Sequence, residues 1–381
     1  MKAWVPTWGG GRVHEEGPVR QVTLPDGTTA WVVSRYDDVR AGLADPRLSL
    51  DKKNAKEWRG LSLPPALDAN LLNMDPPDHT RLRKLIGQAF TPRRVNALRP
   101  TVQRVADGLL DAVEPDRSGD LIATYAAPLS SIVLCDLLGV PEDGRTELRF
   151  WITALLEVGD PDGLKEAVGA LSGYLLELIA TKRGRRGDDL LSALVAARDE
   201  QGGLSEDELV SLAFLLIGAG YENTVNLIAN GIVVLLRHPE QLIALRRSPA
   251  VIDQAVEELV RFDPPAPLAF RRFPTEDVTI AGVTIPAGAA VLLSLAEANR
   301  DPARFRDPDR LDIRRDENPH LSYGYGIHYC VGAPLARVEA SVGITTVLRR
   351  LPGLALAVPA DELRWRPSFR VRGLVELPVR W

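Results

Sequence analysis

Two short stretches of alternating apolar and polar residues frame a long run of helical spacing. Near the start, VRQVTLPDGTTAWVVS sets β-rich runs on either side of Pro25-Asp26-Gly27. Pro presets φ and Gly tolerates positive φ there, so a hairpin is predicted. From about Tyr36 to Asp263 apolar residues recur at helical spacing, broken at Asp75-Pro76-Pro77, Val140-Pro141 and Gly202-Gly203. A second hairpin is predicted around Ala281-Gly282, between Val278/Ile280 and Val283/Ile285, and RWRPSFRVRGLVELPVRW returns to strand character. The pattern predicts a mainly α, α+β protein. No linker or repeat divides it, so residues 1–381 are read as one domain.

One helix dominates the middle. Ser205-Glu206-Asp207-Glu208 reads as a capping box, and apolar residues run from Leu209 to Leu236 with no Pro until Pro239. That implies roughly 30 residues, or about 45 Å at 1.5 Å per residue. Apolar on nearly every side, it should be buried at the centre of the molecule. As a membrane span it would place Glu222, Asn223, Asn226 and Asn230 in hydrocarbon at large cost, so no membrane is expected. Those polar residues need a partner inside the protein.

Composition narrows the function. With 45% hydrophobic and 25% charged residues over 381 positions, the chain can bury a large core. Its net charge of −5 argues against a dedicated nucleic-acid binder and toward small-molecule or protein partners. The amino-terminal MKAWVPTWGGG interrupts any apolar run with Pro and Gly, so neither a signal peptide nor an anchor is expected, and the protein is read as cytoplasmic. Neither G-x-S-x-G nor H-E-x-x-H occurs. Two cysteines are too few for a disulfide scaffold or a four-sulfur zinc site. Cys135, in SSIVLCDLLGVP, is read as a buried small hydrophobe.

Cys330 differs. In SYGYGIHYCVGAPLARVEASVGI, Gly324, Gly326 and Gly332 permit tight turns and close approach of backbone to a flat ligand, and Pro334 opens a helix. The sulfur thus faces a helix amino end, whose free N–H groups and positive dipole favour thiolate, as suits a metal-binding Cys. The stretch Tyr323–Gly332 resembles the haem-ligand loop of the cytochromes P450, in which the Cys is the axial thiolate, an aromatic stands seven residues before it and a Gly four before. Tyr323 replaces the usual Phe, its hydroxyl needing a partner; with Gly324 it is assigned to the cofactor-binding loop.

The resemblance extends along the chain. Glu258-Leu259-Val260-Arg261 is similar to the family's E-x-x-R ion pair, and NRDPARFRDPDRLDIRR to the segment supplying a second Arg, here Arg310. MDPPDHTRLRKLIGQAFTPR is similar to the helix whose His and Arg contact haem propionates, which map to His79 and Arg83; Arg272 and His328 should complete that shell. Gly218-Ala219-Gly220-Tyr221-Glu222-Asn223-Thr224 resembles the A-G-x-[DE]-T segment of oxygen activation, with Glu222 as the acid and Asn223 where the family has Thr. An amide donates hydrogen bonds but relays protons poorly, and Thr224 sits about 100° round the helix. Two chemistries stay open: hydroxylation or epoxidation, with Glu222 and Asn223 holding water or a substrate hydroxyl, and coupling, cyclisation or desaturation without oxygen transfer.

What the resemblance implies is the cytochrome P450 fold with a smaller β-rich lobe and haem b (iron protoporphyrin IX) between the long helix and the helix after Cys330. It also implies a monooxygenase acting on a medium-sized natural product with O2, as a monomer. Electrons should come from a separate ferredoxin and ferredoxin reductase, with Arg81, Lys84, Arg93 and Arg94 as a docking patch. The substrate pocket should draw on Leu71, Leu72, Gly218, Ala219, Leu268, Ala269 and Phe369. A peroxide-driven enzyme and a haem sensor are the other readings.

Overall fold

A computed structural model describes residues 17–58, 64–68, 70–156, 161–201 and 204–381; the amino-terminal MKAWVPTWGGG and Gly202-Gly203 lie outside the described residues. The first hairpin pairs Val19–Thr23 with Thr29–Val33, Val19 opposite Val33. Gly27 takes φ +79° and donates to the Leu24 carbonyl at 2.9 Å. The second strand also pairs in parallel with Ala290–Leu293, all four of whose residues are buried. The second hairpin joins Val278–Ile280 to Val283–Ile285 through Ala281 (φ +48°) and Gly282 (φ +80°), the positive pair that a tight two-residue connection requires. At the carboxyl end, Pro378–Arg380 lies between Ser118–Asp120 and Ala355–Leu356. The rest of the predicted terminal strand character reduces to one bridge, Trp365 with Leu374, because residues 366–373 fold back, the Arg366 N–H bonding the Gly373 carbonyl at 2.9 Å.

The long helix runs over Glu206–Arg237, and its capping box is formed by Ser205 and Glu208 at 2.7 and 3.1 Å. Pro65–Asp68, Ala127–Leu138, Pro161–Gly184, Ile252–Phe262 and Ala333–Arg350 pack around it. Gly231 permits the closest approach, since a Cβ there would stand 3.0 Å from Ile344 and 3.3 Å from Leu259. The helix is long and apolar enough to cross a membrane, but most of that apolar stretch is buried within the protein. Asn230 finds a partner in the carboxy-terminal loop, its Nδ2 donating to the Arg372 carbonyl at 2.9 Å, whereas Asn226, one turn earlier, packs where any Cβ on Gly373 would overlap it and its buried Nδ2 has no partner among the described residues. One hydrogen bond and this close contact hold residues 366–373 against the helix.

Glu258 and Arg261 are both 0% exposed and form a bidentate pair, Nε to Oε2 at 2.7 Å and Nη2 to Oε1 at 2.9 Å. The second arginine on Glu258 is Arg315, at 3.0 Å, and not Arg310 as expected. Arg310 closes a turn on the Asp307 carbonyl at 3.0 Å, which points its own carbonyl inward to accept from Arg315 at 3.1 Å and leaves its side chain outside.

Candidate functional site

The loop before the helix Ala333–Arg350 is bent by Gly324 (φ +77°) and Gly326 (φ +74°), and the Cys330 N–H bonds back to the Tyr323 carbonyl at 2.8 Å. Cys330 keeps open surface at the loop, while its sulfur is set among surrounding protein and accepts from the backbone N–H groups of Gly332 and Ala333. The helix end was expected to favour thiolate. Instead burial pushes the thiol above its usual range, outweighing the Gly332 N–H, Arg83, the Ala333 N–H and Arg337, so the charged form needs a further positive charge at the sulfur. Cys135 is 1% exposed, its thiol pushed up to about 11 by burial, in keeping with a small hydrophobe. Among the described residues no three His, Cys, Asp or Glu side chains gather where they could hold a metal. Cys330 therefore suits a metal whose other ligands belong to a bound group.

Beside the loop, Tyr323 is boxed in by Arg337, whose guanidinium stands 4.5 Å over its ring and also binds Glu257 at 2.7 Å. The Tyr323 hydroxyl is buried without a hydrogen-bond partner among the described residues, and burial raises its pKa.

Four nitrogen donors meet near the loop. His79, in the first turn of the helix Asp78–Ala89, is 1% exposed, yet among the described residues neither ring nitrogen has a partner. Its ring lies 4.1 Å from that of His328. Arg83, one turn on from His79, donates to the Tyr329 carbonyl. Arg272 donates to the Leu48 carbonyl at 3.0 Å and keeps a buried, unpartnered Nε, while Arg271 turns away to Asp26 at 3.2 Å. Burial lowers the pKa of all four, Arg272 to about 10 and His328 to about 3, with His79, Arg272 and Arg83 further repelling charge on His328. Buried donors left open in this way fit the carboxylates of a ligand lying over the sulfur.

The long helix is open on one face at its midpoint. Ala219 and Asn223, one turn apart, are exposed, while Ile217, Tyr221, Thr224 and Val225 are buried. A Cβ at Gly218 would meet nothing within 4 Å. Thr224 is turned away, its hydroxyl donating to the Gly220 carbonyl at 3.1 Å. Burial raises the Glu222 pKa against the pull of Arg366 and Arg370.

Around this face the apolar assignments shift by one or two residues. Leu71 is packed into the helical core, and Leu268 into the β lobe with Leu24, Ala30, Val32 and Phe273, so neither offers free surface. Leu72 and Ala269 are half-buried, and Phe369 packs against the same β cluster as Leu268. The accessible apolar side chain is Phe270, 46% exposed, which sequence reasoning missed together with Arg370. Strand-like alternation would have put Phe270 on the same side as the buried Leu268 and Arg272, but the segment is irregular there. Three arginines within Arg366–Arg372 were the available signal for Arg370. On the basic patch, Arg81 is taken by Glu208 and Asp78, and Arg94 by Asp188 at 2.8 Å, leaving Lys84 and Arg93 exposed.

The family model described as Cytochrome P450 matches residues 249–352, the stretch that contains Glu258, Arg261 and the Cys330 loop. Over 378 residues the chain is 49% identical to the cytochrome P450 monooxygenase PikC of Streptomyces venezuelae, covering 97% of this chain and 89% of that protein. It is 43% identical over 375 residues to the mycinamicin IV hydroxylase/epoxidase of Micromonospora griseorubida, covering 97% and 94%. The tirandamycin C-bound P450 monooxygenase TamI superposes with a TM-score of 0.89 at 44% identity, covering 97% of this chain and 95% of that one. Fold and identity agree over nearly the whole length: the chain belongs to the cytochrome P450 family of haem-thiolate monooxygenases.

Proposed function

We propose that this enzyme hydroxylates or epoxidises a medium-sized natural product, with haem b as its cofactor held through the Cys330 sulfur. The observation that carries this reading is the set of unpartnered, buried nitrogens of His79 and Arg272, grouped with Arg83 and His328 beside an accessible cysteine. Carboxylates of the cofactor would satisfy those donors, and its metal would supply the positive charge that the Cys330 sulfur lacks. Bound there, haem would supply the dioxygen chemistry of a thiolate-ligated iron.

The chain's own residues set the conditions. Gly332 and Ala333 N–H groups hold the sulfur. Glu258, Arg261 and Arg315 brace the segment leading to it. Glu222 stands beside the open helix face with its pKa raised by burial, and Asn223 donates a hydrogen bond to water or a substrate hydroxyl. The name of the Micromonospora relative supports hydroxylation and epoxidation as the reaction type. Electrons come from a separate ferredoxin and its reductase, docking on exposed Lys84 and Arg93, and the enzyme works as a cytoplasmic monomer.

A second reading is favoured by one observation: the open face presents the amide of Asn223, while the neighbouring hydroxyl of Thr224 is bonded elsewhere. Poor proton delivery suits coupling, cyclisation or desaturation. The spectrum of the reduced, carbon-monoxide-bound protein tests the site; a colourless protein replete with iron and porphyrin, or Cys330→Ser with unchanged bands, overturns it. Product mass separates the reactions, a gain of one oxygen against a loss of two hydrogens.

A further inference from the structure

We propose that the substrate of this enzyme carries a single carboxylate on an apolar body, and that Arg370 receives it. The inference rests on the monooxygenase reading and names the substrate class for the same site.

Arg370 is held in place from three sides. The loop that carries it is bonded to the central helix by Asn230 and packed against Asn226, and its own N–H bonds Ser368 Oγ at 3.2 Å. Its guanidinium lies 5.4 Å from the ring centroid of Phe270, the exposed aromatic two residues before Arg272. Yet no carboxylate bonds it: among the described residues its side chain makes that ring contact and no ion pair or hydrogen bond. Arg370 is exposed beside the Phe270 ring, and its charge is repelled by Arg271 and attracted by Glu222.

The charges do not balance. Three cations meet here, Arg271, Arg366 and Arg370, against two anions, Glu222 and Asp26. Asp26 is engaged by Arg271 at 3.2 Å, and Glu222 is shared between Arg366 and Arg370. Arg372, the next cation along the loop, is neutralised by Asp263 at 2.7 Å. Three less two leaves one positive charge, so a monoanion completes the set. A neutral ligand would leave the guanidinium desolvated and unpaired, and a cationic one would add repulsion. The exposed Phe270 ring and Ala219 methyl, with open space at Gly218, offer apolar surface to the rest of the ligand. Arginine also presents the planar fork that matches a carboxylate.

The test uses the purified holoenzyme and three matched series, the saturated fatty acids from octanoic to hexadecanoic, their primary amides and their methyl esters, each titrated by the spin-state shift of the haem band. At least one acid should bind about ten- to a hundredfold more tightly than its amide and ester, the worth of a charge-assisted hydrogen bond. Arg370→Gln should erase that preference and Arg370→Lys should keep part of it. Acids and amides binding alike, no acid binding, or Arg370→Gln weakening both equally overturns the proposal. Should Arg370→Gln fail to take up haem, the wild-type salt dependence decides, because only charge pairing makes acid binding fall with ionic strength while amide binding stays flat. The reduced carbon-monoxide spectrum is recorded before any ligand is added, so loss of the monooxygenase reading shows there and is distinct from loss of the acid preference.

Discussion

Arg315 reaches across 57 positions of sequence to place Nε 3.0 Å from Glu258 Oε2, on the carboxylate that Arg261 already holds by two bonds. The Asp312 N–H adds a donor to Oε1 at 2.9 Å. The cluster ties the helix Ile252–Phe262 to the chain that leads into the Cys330 loop, where Ser322 Oγ bonds the Val260 carbonyl at 2.7 Å. Arg261→Ala breaks the fully buried bidentate pair, leaving Glu258 the single bond from Arg315 and the Asp312 N–H, and should cost about 3–5 kcal/mol. Arg315→Ala should cost about 1–2 kcal/mol, since Glu258 keeps Arg261, and Arg310→Ala should be close to neutral. Urea midpoints and haem content per chain check the order; equal damage from Arg310→Ala and Arg315→Ala contradicts it.

What the sequence disclosed was local. The capping box, both hairpin turns and the glycine-bent cysteine loop each depend on residues a few positions apart, so spacing alone located them. Asn226 and Asn230 announced a need for partners, but the Arg372 carbonyl lies 142 positions from Asn230, and no pattern links the two. Arg310 and Arg315 sit in one arginine-rich segment, and the turn closed on Asp307 decides which side chain points inward. Leu268 is buried where pocket lining was expected, and Phe270 went unassigned, for a related reason: an irregular segment lacks the period-2 rule that says which face a side chain takes.

Glu339 sets a pH dependence on stability. It is 1% exposed on the helix Ala333–Arg350, its Oε2 has no partner, and burial raises its pKa well above 4.5 against a hydrogen bond from Ser130. The folded protein therefore holds a proton that the unfolded chain releases. Its contribution is full below the unfolded value and is lost as pH rises toward the folded one, with a limiting slope of about 1.4 kcal/mol per pH unit. Glu339→Gln removes the proton linkage and should flatten the fall of urea midpoint with pH that begins above the ordinary carboxylate value of 4.5. Parallel curves for the two proteins contradict the assignment.

Phe270→Ala separates binding from folding. The ring is 46% exposed, so its loss should change stability by less than about 1 kcal/mol. A bound ligand that covers the ring gains its apolar area, and truncation should then weaken binding by about three- to tenfold. Spin-state titration beside thermal unfolding of the holoenzyme reads both; a large drop in unfolding temperature with unchanged ligand affinity makes Phe270 a packing residue only.

Asn223→Thr tests the departure at the oxygen-activating segment. Asn223 stands on the open face one turn beyond Ala219, next to Glu222, whose pKa burial raises. An amide can donate a hydrogen bond to water there but does not readily exchange its proton, whereas a hydroxyl both accepts and donates. Thr224 cannot serve, because its hydroxyl is bonded to the Gly220 carbonyl on the buried side. Asparagine and threonine have similar helix propensities, so the substitution should leave folding unchanged. If the amide limits proton delivery, product formed per reductant consumed should rise by about threefold or more, and any product lacking added oxygen should decline relative to the oxygenated one. An unchanged ratio on both measures means that Glu222 and ordered water deliver protons without help from position 223.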